Sequence, residues 1–553
     1  MNRRAALVAA LVLAALAFDP SVPAALPKGG LLLVVALVAS ALEPARWRPT
    51  AGVLGAAALA AWLGLSLAWA RCPEPVALGP FLVLALVALA VSGDDEASRL
   101  RLARGYAAGL AAGAGVLAIG QCVRGGTVEA GFGNPNALGL ALAPCLPLVA
   151  QGLARSAVAP TSPGPASQAW TRAAWGAALL LGLVAVALGR SRTAWCGLAV
   201  ASLLVLRGAA RFVVPASSLA VAVALGAGWR EALGAVGGRG WIARVDVAAA
   251  LEALPLGVGV GGFPSAYLEA QARLLAGLPV EVASARFVHA VTPHGDWLGL
   301  LATGGPLALA LTVGLLALAW RGTSRSEVRA VLLVMAFAAL GDDTLALPPV
   351  ATLLGLLLPT GSAEPIPAPR GARFGLGAVL VVGAALVLPA MVRRYASQRM
   401  LRLAEAAAVD VDAHRRTLDR ARRIDPGDGE VALASGLAWL AAREPEHALE
   451  ELLVASRRLA NVGTAIAIGN ARYETGDFPA AVAAYREAAR LDPGSFRAHA
   501  NLVEALRRTR DRDGAERALE AARRLQPHHP KLERTADALR RDRMEAETSG
   551  EPR

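Results

Sequence analysis

Apolar residues fall in long blocks along the first two thirds of the chain, with short polar connections between them and no strand-like alternation. The blocks lie near residues 5 to 17, 30 to 44, 51 to 69, 78 to 92, 104 to 120, 136 to 153, 173 to 189, 193 to 207, 212 to 228, 297 to 319, 328 to 341, 344 to 360 and 374 to 392. A helix needs about 20 apolar residues to cross ~30 Å of hydrocarbon. Several blocks are short, so the pattern predicts an all-α bundle with roughly 11 to 13 crossings over residues 1 to 395. Arg3 and Arg4 precede the first block and further blocks follow at once, so an uncleaved first helix is expected rather than a removed leader.

Beyond residue 392 the pattern turns to Ala, Arg, Leu and Glu at helical spacing. Pro426, Pro493 and Pro527 punctuate it, and the step from Pro493 to Pro527 is the 34-residue tetratricopeptide period. Gly469, Ala481, Tyr485, Ala488 and Pro493 follow the order of small, small, aromatic, small and proline residues, and Ala515, Ala522 and Pro527 repeat part of it. Small residues let paired helices approach, and proline stops the second of each pair. An α-solenoid is therefore expected over residues 396 to 542, with a more degenerate first unit around Gly436, Ala448 and Ala455 and a disordered tail at 543 to 553.

Composition agrees with lipid as the solvent for much of the chain: 55% of residues are hydrophobic, 18% are charged, and mean hydropathy is +0.48. The net charge of +12 would suggest nucleic acid in a soluble protein, but basic stripes interleaved with aromatics are missing, so no nucleic-acid partner is expected. The arginines read instead as topology signals. With Arg3 and Arg4 in the cytoplasm, Arg46, Arg48, Arg99, Arg101, Arg104, Arg155, Arg172, Arg207, Arg211, Arg321, Arg325 and Arg329 fall on the same side. Residues 121 to 135, 189 to 192 and 229 to 296 are left outside. Thirteen crossings would put the repeat tail outside as well, whereas Arg393 and Arg394 argue for the inside; the outside is the expectation. Cys72, Cys122, Cys145 and Cys196 show no metal-ligand spacing, and neither metal nor cofactor is expected.

Four polar segments interrupt this scheme. Asn134-Pro-Asn136 precedes an apolar block, where two amides and neighbouring glycines permit close backbone approach or simply cap a helix. Arg190-Ser-Arg192 places two arginines on the outer side, against the topological trend, although boundary arginines often only snorkel. The long segment 229 to 296 carries Arg239 and Arg244, then the glycine-rich Pro255-Leu-Gly257-Val-Gly259 run, whose backbone N–H groups beside arginines would suit an anion. Lastly, His294-Gly-Asp-Trp-Leu298 stands at the entrance to the next apolar block.

Taken in this order, these pieces resemble the O-antigen ligase, O-antigen polymerase and protein O-oligosaccharyltransferase superfamily over roughly residues 100 to 360. Where that superfamily usually carries His-Asn, this chain has His294-Gly295, and the aromatic usually found after the loop arginine is absent after Arg244. The resemblance implies a glycosyltransferase of the bacterial inner membrane. It would move a glycan from undecaprenyl diphosphate to a hydroxyl of a second glycan, of lipid A core or of a protein, at the periplasmic face and without nucleotide or metal.

His294, Arg192 and Arg244 are the candidate catalytic residues, and Asn134, Asn136, Arg190, Arg239, Gly257 and Gly259 the candidate substrate-binding ones. Arginine grips diphosphate oxygens bidentately, increasingly as charge builds on the leaving group. Imidazole would deprotonate the acceptor, with Asp246, Glu252 and Asp296 as carboxylate substitutes. The competing expectations are a membrane-anchored tetratricopeptide scaffold with protein partners and a transporter, the latter weakened because interrupted membrane helices are not evident from the sequence.

Overall fold

A computed structural model describes residues 3–19, 22–23, 25–42, 44, 47–130, 132, 134–158, 165–205, 229–290, 292–358 and 370–549. Among these residues there is no strand. They fall into two compact units, one made of residues 1–237, 250–261 and 292–395, the other of 238–249, 262–291 and 396–553. The expected apolar block at 212 to 228, and Arg207 and Arg211, lie outside the described residues.

The first unit contains α1 (Arg3–Leu16), α2 (Ala25–Ala41), α3 (Ala51–Ser66), α4 (Gly79–Ala90), α5 (Glu96–Val123), α6 (Pro135–Leu142), α7 (Leu146–Val158), α8 (Pro165–Leu188) and α9 (Arg192–Val205). The chain passes to the second unit within α10 (Trp229–Glu252), whose companions there are α11 (Phe263–Leu275) and α12 (Val280–Arg286). It returns to the first for α13 (Asp296–Arg321), α14 (Ser326–Ala338) and α15 (Pro348–Leu357), and leaves again within α16 (Arg370–Ala406).

Among the described residues, five stretches are long and apolar enough to cross a membrane: Glu96–Val123, Pro135–Ser156, Ala166–Leu188, Asp296–Arg321 and Phe374–Ala406. The shorter apolar helices include α2, α3, α4 with the turn before it, α9 and α15.

Close backbone approach organises this unit, as expected where lipid removes the hydrophobic drive between helices. Gly105, Gly109 and Gly113 recur every fourth residue of α5 and make a groove for Val8, Val12 and Leu16 of α1. Further along α5, a side chain at Gly115 would strike Leu181 of α8.

At one end of the bundle the charges are paired. Arg4 donates to Asp94 (2.7 Å) and Ser98, Arg99 to the Asp94 carbonyl, Arg325 to Glu96 (3.3 Å), and buried Arg104 to buried Glu327 (2.7 Å). Arg155 lies 3.7 Å from the same Glu327 oxygen. Since α7 ends near Arg155 and Gly152 meets Trp175 near the start of α8, α8 runs from this end toward the other, as does α14 from Ser326.

One membrane-length helix is interrupted, which corrects the sequence expectation. Gly305 in α13 has φ +67°, and Pro306 follows it. Proline has no N–H, so the Ala302 carbonyl loses its helical donor; the Val258 amide supplies one instead at 2.8 Å, and Gly259 N–H donates to the Thr303 carbonyl at 2.9 Å. The Gly304 carbonyl accepts the Trp62 indole (2.6 Å).

In the second unit, the tail continues with α17 (Val411–Ile424), α18 (Gly429–Ala441), α19 (Pro445–Arg458), α20 (Val462–Glu474), α21 (Phe478–Leu491), α22 (Phe496–Arg508), α23 (Arg512–Leu525) and α24 (Pro530–Ser549). Asp410, Asp428, Asn461, Asp477, Ser495 and Asp511 cap α17, α18, α20, α21, α22 and α23 by accepting first-turn amides. Gly436 admits Leu452 and Gly469 admits the Tyr485 ring, while Ala448, Ala481, Ala488, Ala515 and Ala522 are wholly buried. These are the small positions that the repeat pattern requires.

Candidate functional site

The end of the first unit opposite the ion pairs gathers three of the four sequence motifs on a single turn, residues 339–345, between α14 and α15. The Asn136 amide donates to Asp342 Oδ1 at 2.7 Å. Gly341 faces the Thr193 methyl, next to Arg192. Gly295 lies against the Leu340 carbonyl so closely that a Cβ there would come within 2.9 Å of it. Asp296 Oδ2 accepts the amides of Thr344 (2.7 Å) and Leu345 (2.6 Å).

Local sequence explains the other contacts. Asn134 caps α6, its side-chain oxygen accepting the Ala137 amide at 2.7 Å with Pro135 at the first helical position. Gly189 is required because a side chain there would collide with the Pro135 carbonyl, and Ser191 fills the space over Gly139. Arg190 stands at φ +51° on the turn into α9. Gln121 Oε1 accepts the amides of Glu129 and Ala130, pinning the approach to the Asn-Pro-Asn segment. Underneath, buried Lys28 donates to the Ala15 and Ala17 carbonyls (2.8 Å each) and lies 4.5 Å from the Phe132 ring centre.

The electrostatics of this end are lopsided. Arg190 and Arg192 are exposed and have no ion-pair or hydrogen-bond partner among the described residues, while Asp342 Oδ1 is bound to Asn136 and Asp296 Oδ2 to the turn. The starts of α6, α9, α13 and α15 meet here, and each helix start carries about half a positive charge. Helix starts favour anions, and the Asp342 and Asp343 carboxylates of the same turn offset part of that charge. His294 is exposed and immediately precedes the Gly295 contact.

Other expected site residues lie elsewhere. Gly257 and Gly259 sit beside the break in α13, with φ of +79° and +78°, and a Cβ on either would strike backbone of Thr303 or Ser66. The amides of Gly257, Val258, Gly259 and Val260 donate to the Ala253 carbonyl, the Ala302 carbonyl, the Thr303 carbonyl and Ser66 Oγ. The expected exposed N–H cradle is therefore absent at these positions, two of its donors being taken by the α13 repair and the others by the Ala253 carbonyl and Ser66 Oγ.

Asp296 is buried, and its Oδ2 anchors the turn. Arg239 and Arg244 are exposed on the α10 portion that belongs to the second unit, where Asp246 is buried. The loop read as one region from 229 to 296 thus divides between units. Asp342 was missed in the sequence because Gly341-Asp-Asp343 reads as an ordinary polar turn. All four cysteines are free thiols, and no group of metal-ligating side chains occurs among the described residues.

In the tail a polar ladder crosses successive repeats. Tyr485 hydroxyl and the Asn501 amide both donate to Asn470 Oδ1 (2.7 and 2.9 Å), and Lys531 donates to Asn501 Oδ1 (2.7 Å). Burial holds the Lys531 ammonium below its ordinary value and pushes the Tyr485 phenol up.

No curated protein matches the chain. Among solved structures, a mutant of MamA is 20% identical, covering 26% of this chain and 87% of its own at a TM-score of 0.22. Yeast Tom70 is 12% identical, with 84% of this chain and 92% of its own covered at 0.25, and the APC/C hetero-tetramer Cut9–Hcn1 is 11% identical, with 83% and 92% covered at 0.25. Residues 472–535 match the tetratricopeptide repeat family, so the tail carries tetratricopeptide repeats, a fold suited to protein partners.

Proposed function

We propose that the chain is a membrane glycan transferase that moves a glycan from undecaprenyl diphosphate to an acceptor hydroxyl at the periplasmic face of a bacterial inner membrane. The observation that supports this most is the convergence of the Asn136, Arg192 and His294 segments on the 339–345 turn, with Arg190 and Arg192 unpaired beside it. In this proposal Arg192, assisted by Arg190, binds the diphosphate and stabilises the charge that it gains on leaving. His294 removes the acceptor proton. Asn136 and Asp342 hold the turn. The glycan–phosphate bond breaks as the acceptor oxygen bonds the anomeric carbon, and undecaprenyl diphosphate leaves with the electron pair.

The acceptor is another glycan, lipid A core or a protein hydroxyl. A deletion strain, with its surface polysaccharide and glycoproteins resolved on gels, distinguishes them. Short-chain glycan marks a polymerase, unligated glycan a ligase, and lost protein glycosylation an oligosaccharyltransferase; unchanged glycans in every fraction overturn the proposal. A second reading, a membrane-anchored scaffold for envelope polysaccharide assembly, is favoured by the repeat tail alone. It predicts that His294→Ala and Arg192→Ala leave the phenotype intact while tail deletion removes it.

A further inference from the structure

The second unit joins two segments far apart in sequence, α11 and α12 of the long loop and the repeats of the tail. Leu268 and Ala272 of α11 are buried in one apolar cluster with Val462, Ala488, Leu491 and Ala498 of the repeats, and Phe287 packs on it. At its rim the Glu269 carboxylate receives two hydrogen bonds from Arg490, at 3.0 and 2.9 Å, and Arg490 is oriented by Glu487 on its own helix. The fully buried Gln271 side chain clasps both the amide and the carbonyl of Val288, folding the chain after α12 back against α11.

The closest approach is at Gly494, in the turn between α21 and α22. A Cβ there would fall on the backbone of Ser284. Gly494 is not in the left-handed region, so nothing but this neighbour demands glycine.

The arginine-bearing helix belongs to the same body. Arg286 of α12 lies 5.3 Å from the Trp241 ring centre, and the Tyr267 phenol is pushed above its ordinary value by burial and then by the Asp246 carboxylate. Tyr267 and Asp246 are therefore close neighbours across α11 and α10.

We propose that the repeat surface around Leu491 and Gly494 is a docking site whose occupant is the chain's own loop, residues 263–288. The tail thereby shares a compartment with the loop and holds the helix carrying Arg239 and Arg244. Two physical arguments support this occupant over an external one. No bilayer can separate segments that share an apolar cluster, and a glycine that yields only to Ser284 is fitted to that segment. The inference does not depend on glycan transfer, because its readouts are topology and amide exchange.

The test uses the full chain in lipid nanodiscs. Hydrogen exchange is measured in wild type, Gly494→Ala, Arg490→Glu and the swap Glu269→Arg with Arg490→Glu. Exchange across residues 263–286 should rise at least about fivefold in the two single variants, with protection of 462–474 unchanged and with recovery in the swap. Reporters inserted at Gly277 and after residue 549 should give the same side. Unchanged loop exchange in both single variants, or reporters on opposite sides, overturns the proposal.

Discussion

The two ends of the first unit use the same side chain in opposite ways. At the Glu327 end, Arg4, Arg104 and Arg325 each meet a carboxylate and Arg99 meets a carbonyl. At the Asp342 end, carboxylates are again present, yet Asp342 Oδ1 is taken by Asn136 and Asp296 Oδ2 by the Thr344 and Leu345 amides, while Arg190 and Arg192 have no ion-pair or hydrogen-bond partner among the described residues. The difference teaches that arginine count says little about an anion site; what matters is whether the nearby acids are already engaged. Paired arginines hold helices together, whereas unpaired ones keep their donors for something outside the chain.

The sharpest way to break this contrast is to remove Glu327. Arg104 and Glu327 side chains are only 10% and 5% exposed, so Glu327→Ala should cost about 3–5 kcal/mol by stranding a buried charge. Arg192→Ala should change stability by less than about 0.5 kcal/mol, as at other exposed positions. Unfolding in detergent measures both, and equal losses would erase the distinction.

Next in size are effects on the proposed glycan transfer, with the fold intact. His294→Ala should lower glycan transfer about 10²–10⁴-fold, as for loss of a general base. Arg192→Ala should lower it about 10²–10³-fold, and Arg192→Lys should fall between, since lysine keeps charge but loses the planar fork. The same changes at Arg325 should leave transfer unaltered. Transfer is measured from purified lipid-linked glycan, and full activity of Arg192→Ala would reduce it to a boundary arginine.

Smaller still is Asn136→Ala. It deprives Asp342 Oδ1 of its donor while Oδ2 is already buried without a hydrogen-bond partner among the described residues, so a stability loss of about 1–3 kcal/mol is expected. Thermal unfolding reads this, and an unchanged midpoint would mean that the turn does not need the contact.

The least effect separates the tail from the membrane unit. Burial holds the His499 imidazole below its ordinary value despite the Pro493 carbonyl at its ring nitrogen. A lowered folded value means that the unfolded chain binds more protons in acid. Its stability contribution is therefore full above the ordinary histidine value and lost as pH falls through the folded one. Tail stability should therefore fall between about pH 7 and 5, and His499→Gln should flatten that slope. The Asp492 carboxyl, raised by burial, acts with the opposite sign at lower pH. Exchange of residues 496–508 against pH measures the difference.

Much of the architecture was legible because its signals are local. The proline period ends α21 and α23 at Leu491 and Leu525, and Asn134-Pro135 starts α6. The remainder depended on partners distant in sequence. Asp342 gains its place from Asn136, 206 residues earlier. The glycine run at 255–261 looked like an anion cradle because nothing nearby reveals that Pro306 will leave the Ala302 carbonyl in need of Val258. The division of the long loop was hidden for the same reason, since Leu268 finds its apolar neighbours in the tail.

Lys28 has a consequence for the order in which the protein is made. Its carbonyl partners at Ala15 and Ala17 precede it and are available as soon as the first hairpin leaves the ribosome, whereas Phe132 is synthesised about a hundred residues later. The aromatic ring arrives as the final part of a latch, and this fastens an early-made element to the segment that carries Asn134 and Asn136.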